Sequence, residues 1–596
     1  MRVAGHARLT VQVYVALALL AACSQPGPPS DPPGRQSDAP PASDRKTLNM
    51  ALSAPIDAFS IAGTSSESGG IQSYAEIHSQ ALFTSDRQSG RPVPRLLAEQ
   101  PSMDNGGLAI TPDGKMVATY RLRPDIRWAD GPVVTARDLL FTYRMRKDPS
   151  MTTTDVGPTQ LMESAAAPDD QTFVVTWRQP YYQADALGLR AFWPLPAHLL
   201  ETDYTSLVEQ QRDSKAFLAK PYWTSAYVHV GPFKLTELVP QVHAVFDAVD
   251  DYFLGRPKID RIVVRQFAGG FGSMNSRTAL SNVLAGSIDV ALDHVLPPEQ
   301  GLQIKAQWDS NGRGRVYFTT SALEFLSIQF NRSGPDSSAP LLDPRVRIGL
   351  FQSIDRGAYA EILLAGIPDQ AAHAILAPDN PLYPYVKDGW KQRYPYDEEK
   401  AAAAFIEAGW QRGPNGMLVN RAGERLGLEL RGTQNSGKPV AIVGDMWRRT
   451  GVDTTPVTIP PGQTTDREYR QQFPGVEITS QGSQDSILTR LECIEQPTAQ
   501  NHFSGSNRGH WCNMDYDLLV AAYRTDLREP GRGATVHQIQ EVLLDQLPIM
   551  LLNYQMATIA VGKHTTALED DFHGGAESGR MYGTYSRNAH EWELRG

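Results

Sequence analysis

Cysteine is nearly missing from this chain: three in 596 residues, at positions 23, 493 and 512. That scarcity excludes a disulfide-dense scaffold. With no CxxC pair and no tight Cys/His cluster it also argues against a zinc site. Long apolar runs are missing as well. The longest, residues 13–22, falls short of the roughly 20 residues that a membrane-spanning helix needs, and no later stretch approaches that length. Basic clusters are absent and the formal net charge is −10, which makes nucleic acid a poor partner. Signatures of catalysis and of nucleotide binding are missing too. Ser436-Gly437-Lys438-Pro439 is a lone Gly-Lys pair followed by a helix breaker. His590-Glu591 lacks the second histidine of a zinc-protease helix. In residues 505–509 the serine stands one place too early for a nucleophile elbow. Residues 268–273 lack dinucleotide-binding spacing and read as a loop. The 13 histidines are scattered. No enzyme activity, no cofactor and no metal centre is expected.

What is present starts at the N-terminus. Arg2, His6 and Arg8 precede the ten apolar residues 13–22, the layout of a secretory signal. Leu20-Ala21-Ala22-Cys23 is similar to the lipobox of bacterial lipoproteins, in which the thiol takes a diacylglycerol and becomes the new N-terminus. An ordinary signal with a chance cysteine is the alternative. Residues 24–46 contain seven prolines, and their only apolar side chains are Ala39 and Ala42. Such a segment buries too little surface to offset its ordering entropy and should form an extended spacer. Residues 1–22 are thus expected to be a lipoprotein signal peptide, and 23–46 a disordered, lipid-anchored tether. The remaining body is long enough for several lobes. Its 41% hydrophobic and 20% charged residues are those of an ordinary globular protein. In an exported protein Cys493 and Cys512 are expected to be oxidised. They would close a loop of about 20 residues, worth roughly 3 kcal/mol in the chain-entropy model. Free thiols are the other possibility.

The body mixes strands and helices with no repeat period. Residues 47–59 read as a strand running into a loop at Pro55, and residues 116–122 as a strand. Asp130-Gly131 marks a turn. Thr135 is placed to cap a helix, with Asp138 in a capping-box position and Leu139, Leu140 and Tyr143 toward the core. Residues 172–180 read as a strand stopped by Pro180. Residues 397–410 read as a helix capped by Asp397 and ended by Gly409. Residues 418–430 read as a hairpin with Leu426, Leu428 and Leu430 on one face.

Several of these stretches together resemble a known family. They are YRLRPDIRWADGPVVTARDLLFTY (residues 120–143), GPFKLTEL (231–238), DDYFLGRPKIDRIVVR (250–265), LLDPRVRIGLFQSIDR (341–356), the helix near 397–410, DLLVAAYRTDLREPGR (517–532) and LLDQLPIMLLNYQ (543–555). Their order across the chain is similar to that of the family 5 extracellular solute-binding proteins, the oligopeptide- and dipeptide-binding class of ABC importers. The resemblance implies an α/β, two-lobed periplasmic-binding-protein fold (type II, cluster C-like) with a small extra domain on lobe one. Lobe one would comprise residues 47–72, 206–318 and 549–596, the extra domain 73–205, and lobe two 319–548. A monomer of this class captures a solute between its lobes and docks, closed, on an ABC permease with its ATPase. The lipid would hold it on a bacterial membrane, with the body in the periplasm or outside the cell. Some relatives carry a disulfide in the same late region as Cys493 and Cys512.

One departure bears on the ligand. Peptide binders of this family carry an Asp-Tyr-x-Asp-Pro-like stretch whose aspartate pairs with the peptide α-ammonium. Here residues 475–492 read GVEITSQGSQDSILTRLE, with Asp485 the only aspartate. Besides a peptide, the candidates are an opine, an oligosaccharide, a nickel complex or haem. The expected ligand contacts are Gln481, Ser483, Gln484, Asp485 and Arg490, facing Ser53, Ala54 and Pro55 across the cleft. Amide side chains both donate and accept, which suits a solute rich in hydroxyl or amide groups. Asp485 reads in two ways, as an anchor for a cation or as a cap for the helix of Ile487 and Leu488. A sensing or scaffold lipoprotein and an anchored hydrolase are the competing functions.

Overall fold

The computed structural model describes residues 45–53, 59, 74–86, 89–151, 157–189, 191–267, 274–292, 295–331, 336–364, 367, 370–482, 485–568 and 584–595. The expected signal, Cys23, the tether as far as residue 44 and the loop at 268–273 lie outside them. The tether's last residue, Lys46, is not loose but bonded to Asp260 and Arg261.

One sheet of ten strands runs through the body. From one edge the strands are Asp453–Thr458, Gly427–Gly432, Val476–Gln481, Gly314–Ile328, Ile549–Gly562, Val290–Ala291, Thr47–Leu52, Arg261–Gln266, His243–Ala248 and Phe233–Val239. The two longest, of 15 and 14 residues, are Gly314–Ile328 and Ile549–Gly562. They pair antiparallel from Gly314↔Gly562 to Ser327↔Ile549, with register shifts between Thr320 and Ala322 and between Glu324 and Phe325. Beyond one end of the pair Val290 joins Val561. At the other end Leu323 to Ile328 join Gln481 to Val476. Each half of the long pair therefore belongs to a different part of the sheet.

Strand periodicity explains how the cores form. In Thr47–Leu52 successive side chains point to opposite faces. Leu48, Met50 and Leu52 enter a large core with Phe246, Val264 and Trp592. Ala51 instead meets a smaller core under the helices Met274–Ala285 and Pro298–Asn311. That second face is tight: a Cβ on Gly301 would lie 2.5 Å from Thr558 Cγ2, so only glycine lets the helix sit on the strand. A further core, the largest, gathers around the other end of the long pair, with Phe325, Leu430, Trp447, Ile478 and Tyr554.

A separate antiparallel sheet, ordered Leu108–Ile110, Met116–Arg121, Thr172–Trp177, Met162–Ala166, carries its own core. The helix against it is Ala136–Lys147, and Asp138 accepts from the Thr135 backbone N–H at 2.8 Å, the reciprocal bond of a capping box. Asp138 also accepts from the Ala197 N–H at 2.8 Å. Leu139 is buried as expected, but Leu140 and Tyr143 are only half-buried at the margin of this core. Phe141 and Met145 are buried instead, in the core of the main sheet. The helix lies between two cores and so has two apolar faces, which a single-face pattern misplaces.

The helix Glu398–Glu407 is capped by Asp397, which accepts from the Lys400 N–H at 3.0 Å, and it ends at Gly409 with φ +90°. Two expectations need correction. The hairpin over 418–430 reduces to one bridge, Val419↔Arg425. Gly427–Gly432 instead runs parallel between Asp453–Thr458 and Val476–Gln481, because its leucines are drawn into the main sheet's core. Pro439 does not break a helix. It sits in the first turn of Gly437–Thr450, where its missing N–H has no intrahelical partner to lose. Among the described residues no helix is long and apolar enough to cross a membrane.

Candidate functional site

The strand Val476–Gln481 sets Glu477, Thr479 and Gln481 on one face. Their cross-strand partners Ser327, Phe325 and Leu323 lie on the same face of the neighbouring long strand. Glu477 is 1% exposed and holds three guanidinium groups. Arg431 reaches its Oε2 at 2.8 Å, while Arg470 and Arg508 reach its Oε1 at 2.5 and 2.9 Å. Burial works against the charge of Glu477, but Arg508, Arg470 and Arg431 outweigh it and hold the carboxyl below its usual range. Arg508 also donates to Thr479 Oγ1 at 3.3 Å, and 22% of its side chain is exposed. Arg431 and Arg470 are more deeply enclosed.

Arg490 adds a fourth guanidinium. It donates to Gln481 Oε1 at 2.6 Å and lies 5.5 Å over the Phe325 ring. Burial, with the like charge of Arg508, depresses its pKa to about 9. Gln481 in turn donates to Ser486 Oγ at 3.3 Å. The face is thus amide- and hydroxyl-bearing, with more guanidinium than carboxylate, an arrangement complementary to an acidic group.

Asp485 is placed differently from either expectation. It is 7% exposed, and its side chain makes no capping bond to the short helix Ser486–Thr489. Its carboxylate accepts from Tyr182 Oη at 2.7 Å, Tyr523 Oη at 2.5 Å and Asn380 Nδ2 at 3.4 Å. These donors are neutral and come from three distant parts of the chain. Tyr182 packs against both the largest core and the core of the four-stranded sheet. Its backbone N–H donates to Arg524 O at 3.1 Å, and Arg532 lies 5.1 Å over its ring. Asp485 therefore fastens one core to another.

Of the expected contacts, the structure brings Gln481 and Arg490 together and places Asp485 beside them in the chain but on a different set of partners. Ser53 is half-buried at the end of the strand Thr47–Leu52. Ala54, Pro55, Ser483 and Gln484 lie outside the described residues. The sequence reading missed Glu477, Arg431, Arg470 and Arg508, and with them Tyr182, Asn380 and Tyr523. Alternation within VEITSQ carried a signal for Glu477, since it puts that residue on the face of Thr479 and Gln481. The arginines had no local signal. The Cys493 and Cys512 sulfurs lie 2.01 Å apart, the geometry of a disulfide. Among the described residues no group of three His, Cys, Asp or Glu side chains is placed to hold a metal ion.

Comparison with known proteins follows the same lines. The family model described as bacterial extracellular solute-binding proteins, family 5 Middle, matches residues 91–483. The oligopeptide-binding protein AppA of Bacillus subtilis is 23% identical over 353 residues, covering 57% of this chain and 58% of that protein. The heme-binding protein A of Haemophilus influenzae is 23% identical over 578 residues, covering 91% of this chain and 92% of that protein. The chain spans about half the length of other curated relatives it matches, 51% for one from Brucella ovis. An oligopeptide-binding protein of Thermus thermophilus, solved with a pentapeptide, superposes with a TM-score of 0.68 at 20% identity, over 92% of this chain and 96% of that one. That likeness establishes the two-lobed α/β fold expected from the sequence. With more than half of its length inside the family model, the chain belongs to the bacterial extracellular solute-binding proteins, family 5.

Proposed function

We propose that this chain is the substrate-binding component of an ABC importer, capturing a peptide or peptide-like solute between its lobes and passing it to a permease and its ATPase. The observation that carries this reading is the arginine-rich polar face at Glu477, Thr479, Gln481, Arg490 and Arg508. It lies beside the strand pair that joins the lobes in a chain of a solute-binding family. The surplus of guanidinium suits an acidic end of the solute, and Gln481 suits its amides. Asp485, already supplied with three neutral donors, supports the segment rather than gripping an α-ammonium. A non-peptide solute is the second reading, favoured by the haem-binding relative that matches over 92% of its length.

In this reading lobe one takes residues 47–72, 206–318 and 549–596, lobe two takes 319–548, and 73–205 form the extra domain. Cys23 carries the lipid, 24–46 is the leash, and Cys493 and Cys512 are oxidised in the exported protein. The deciding experiment is mass spectrometry of the solute released on denaturing the mature protein, followed by calorimetric titration with it. Arg490→Met and Gln481→Ala should each weaken binding more than tenfold, about 1.4 kcal/mol. Unchanged affinity in both variants removes this segment from the site. A fatty-acid probe should label wild type and not Cys23→Ala, and equal labelling overturns the anchor.

A further inference from the structure

The long strand pair has a second end, far from Gln481. At Gly314↔Gly562 it is nine residues, about 30 Å, from Leu323, the partner of Gln481. Here a cavity of about 350 Å³ opens, lined by Gly314, Arg315, Gly562, Lys563, Thr565 and Arg595 among others. Among the described residues its lining holds three cations and no carboxylate, in a chain whose net charge is −10. Lys563 and Arg595 are exposed, and neither side chain has an acidic partner among the described residues. Their backbones are fixed: the Lys563 N–H donates to Arg313 O at 2.9 Å and the Arg595 N–H to His564 O at 2.8 Å. Thr565 is 3% exposed, and its hydroxyl finds no partner among the described residues. A buried hydroxyl in that state can be satisfied by a bound water or ion.

We propose that this cavity binds a phosphate group, held by Lys563, Arg595 and Thr565. A tetrahedral oxyanion can take the ammonium of a lysine, the fork of an arginine and a hydroxyl on separate oxygens. The site is distinct from the solute cleft, so it stands or falls apart from the proposed function. Its position indicates two sources for the phosphate. The Gly562 N–H donates to Asp289 O at 2.8 Å, and Asp289 Oδ2 accepts from the Asn49 N–H at 2.8 Å. The cavity thus lies two strands from residue 49, at the end of lobe one where the described body begins at Arg45. The membrane to which the proposed Cys23 lipid would hold the chain carries phosphate in its anionic headgroups. Free inorganic phosphate is the other source. The headgroup source depends on the anchor; the phosphate chemistry does not.

The test uses the full exported chain carrying Cys23→Ala, so that no covalent lipid competes. It is titrated with inorganic phosphate and with soluble short-chain phosphatidylglycerol, by calorimetry and phosphorus NMR. At least one probe should bind, and Lys563→Ala/Arg595→Ala should weaken it more than tenfold. Thr565→Val should weaken it several-fold. Melting temperature and solute affinity in the cleft should stay unchanged in the Lys563/Arg595 variant. Tighter binding of phosphatidylglycerol assigns the headgroup, and equal or tighter binding of phosphate assigns the free anion; both support the site. No binding of either probe at millimolar concentration, or affinity unchanged in the double variant, overturns it.

Discussion

Replacing Asp485 by asparagine separates the three roles this residue can have. The carboxylate is 7% exposed and receives two phenolic hydroxyls and one amide, at 2.7, 2.5 and 3.4 Å. A hydrogen bond to a charged group contributes about 1.5–3 kcal/mol, against about 1 for a neutral one. Both tyrosines donate to Oδ2 and Asn380 donates to Oδ1, so an asparagine oxygen in the Oδ2 place keeps both hydroxyls, but in neutral rather than charged bonds. Its amide nitrogen then takes the Oδ1 place and meets the Asn380 amide donor, which loses its acceptor. The loss should be about 1–3 kcal/mol, read as a lower urea midpoint at unchanged m-value. A cap would give almost no effect, because asparagine caps about as well as aspartate. A ligand anchor would leave the empty protein's stability unchanged and weaken solute binding instead. Tyr182→Phe provides the second arm, since it removes one hydroxyl and creates no new donor. In a double-mutant cycle the Asp485–Tyr182 pair should couple by about 1 kcal/mol or more. Asp485→Asn within a few tenths of a kcal/mol of wild type, with no coupling to Tyr182, would refute this account.

The remaining predictions concern charge and covalent constraint. His229 is buried, accepts from the Val230 N–H at Nδ1 (2.7 Å), faces Pro194 O through Nε2 (2.8 Å), and has its pKa lowered by burial to about 3. A histidine depressed in the folded state stabilises above its unfolded pKa near 6.5 and loses that contribution as the pH falls. Acidification from about pH 7 to pH 5.5 should therefore cost about 1 kcal/mol, with buried His78 acting in the same direction. His229→Gln should flatten the dependence by one proton, and an unchanged slope rejects it. Glu477→Gln strands three guanidiniums in a nearly closed site and should cost roughly 3–5 kcal/mol, a value below about 1 being incompatible with the observed pairing. Replacing Cys493 and Cys512 by serine should lower stability by roughly 2–4 kcal/mol and leave solute preference unchanged. Two reactive thiols in the unfolded, unreduced mature protein would contradict a bond between them.

Local signals carried much of the architecture. The strands at Thr47–Leu52, Met116–Arg121 and Thr172–Trp177 and the helix Glu398–Glu407 form where alternation or capping places them. What local pattern cannot supply is the assignment of partners. Gly427–Gly432 has the alternation of a hairpin arm, but its neighbours are strands at 453–458 and 476–481, and a parallel neighbour leaves no turn signal. Pro439 is a breaker by intrinsic helix cost, yet its place in the first turn removes that cost. Asp485 looks like a cap because a serine and two apolar residues follow it. Its real partners are at 182, 380 and 523, separations over which sequence pattern carries no information. The Glu477 cluster is hidden for the same reason, as Arg431, Arg470 and Arg508 converge only after three elements have packed.

The strand Ile549–Gly562 comes late in the chain yet stands in the middle of the main sheet. It bonds to Gly314–Ile328 along almost its whole length and to Val290–Ala291 on its other side. Until residue 562 has been synthesised, the halves built around Thr47–Leu52 and around Val476–Gln481 lack the strand that joins them in the sheet, and the inner edges flanking the gap have no neighbour. At synthesis rates of about 5–20 residues per second, that leaves a long interval in which folding cannot finish. The main sheet therefore stays open at its centre while the chain is being made. The same central placement makes this late strand the step that commits both halves of the sheet to the folded state together.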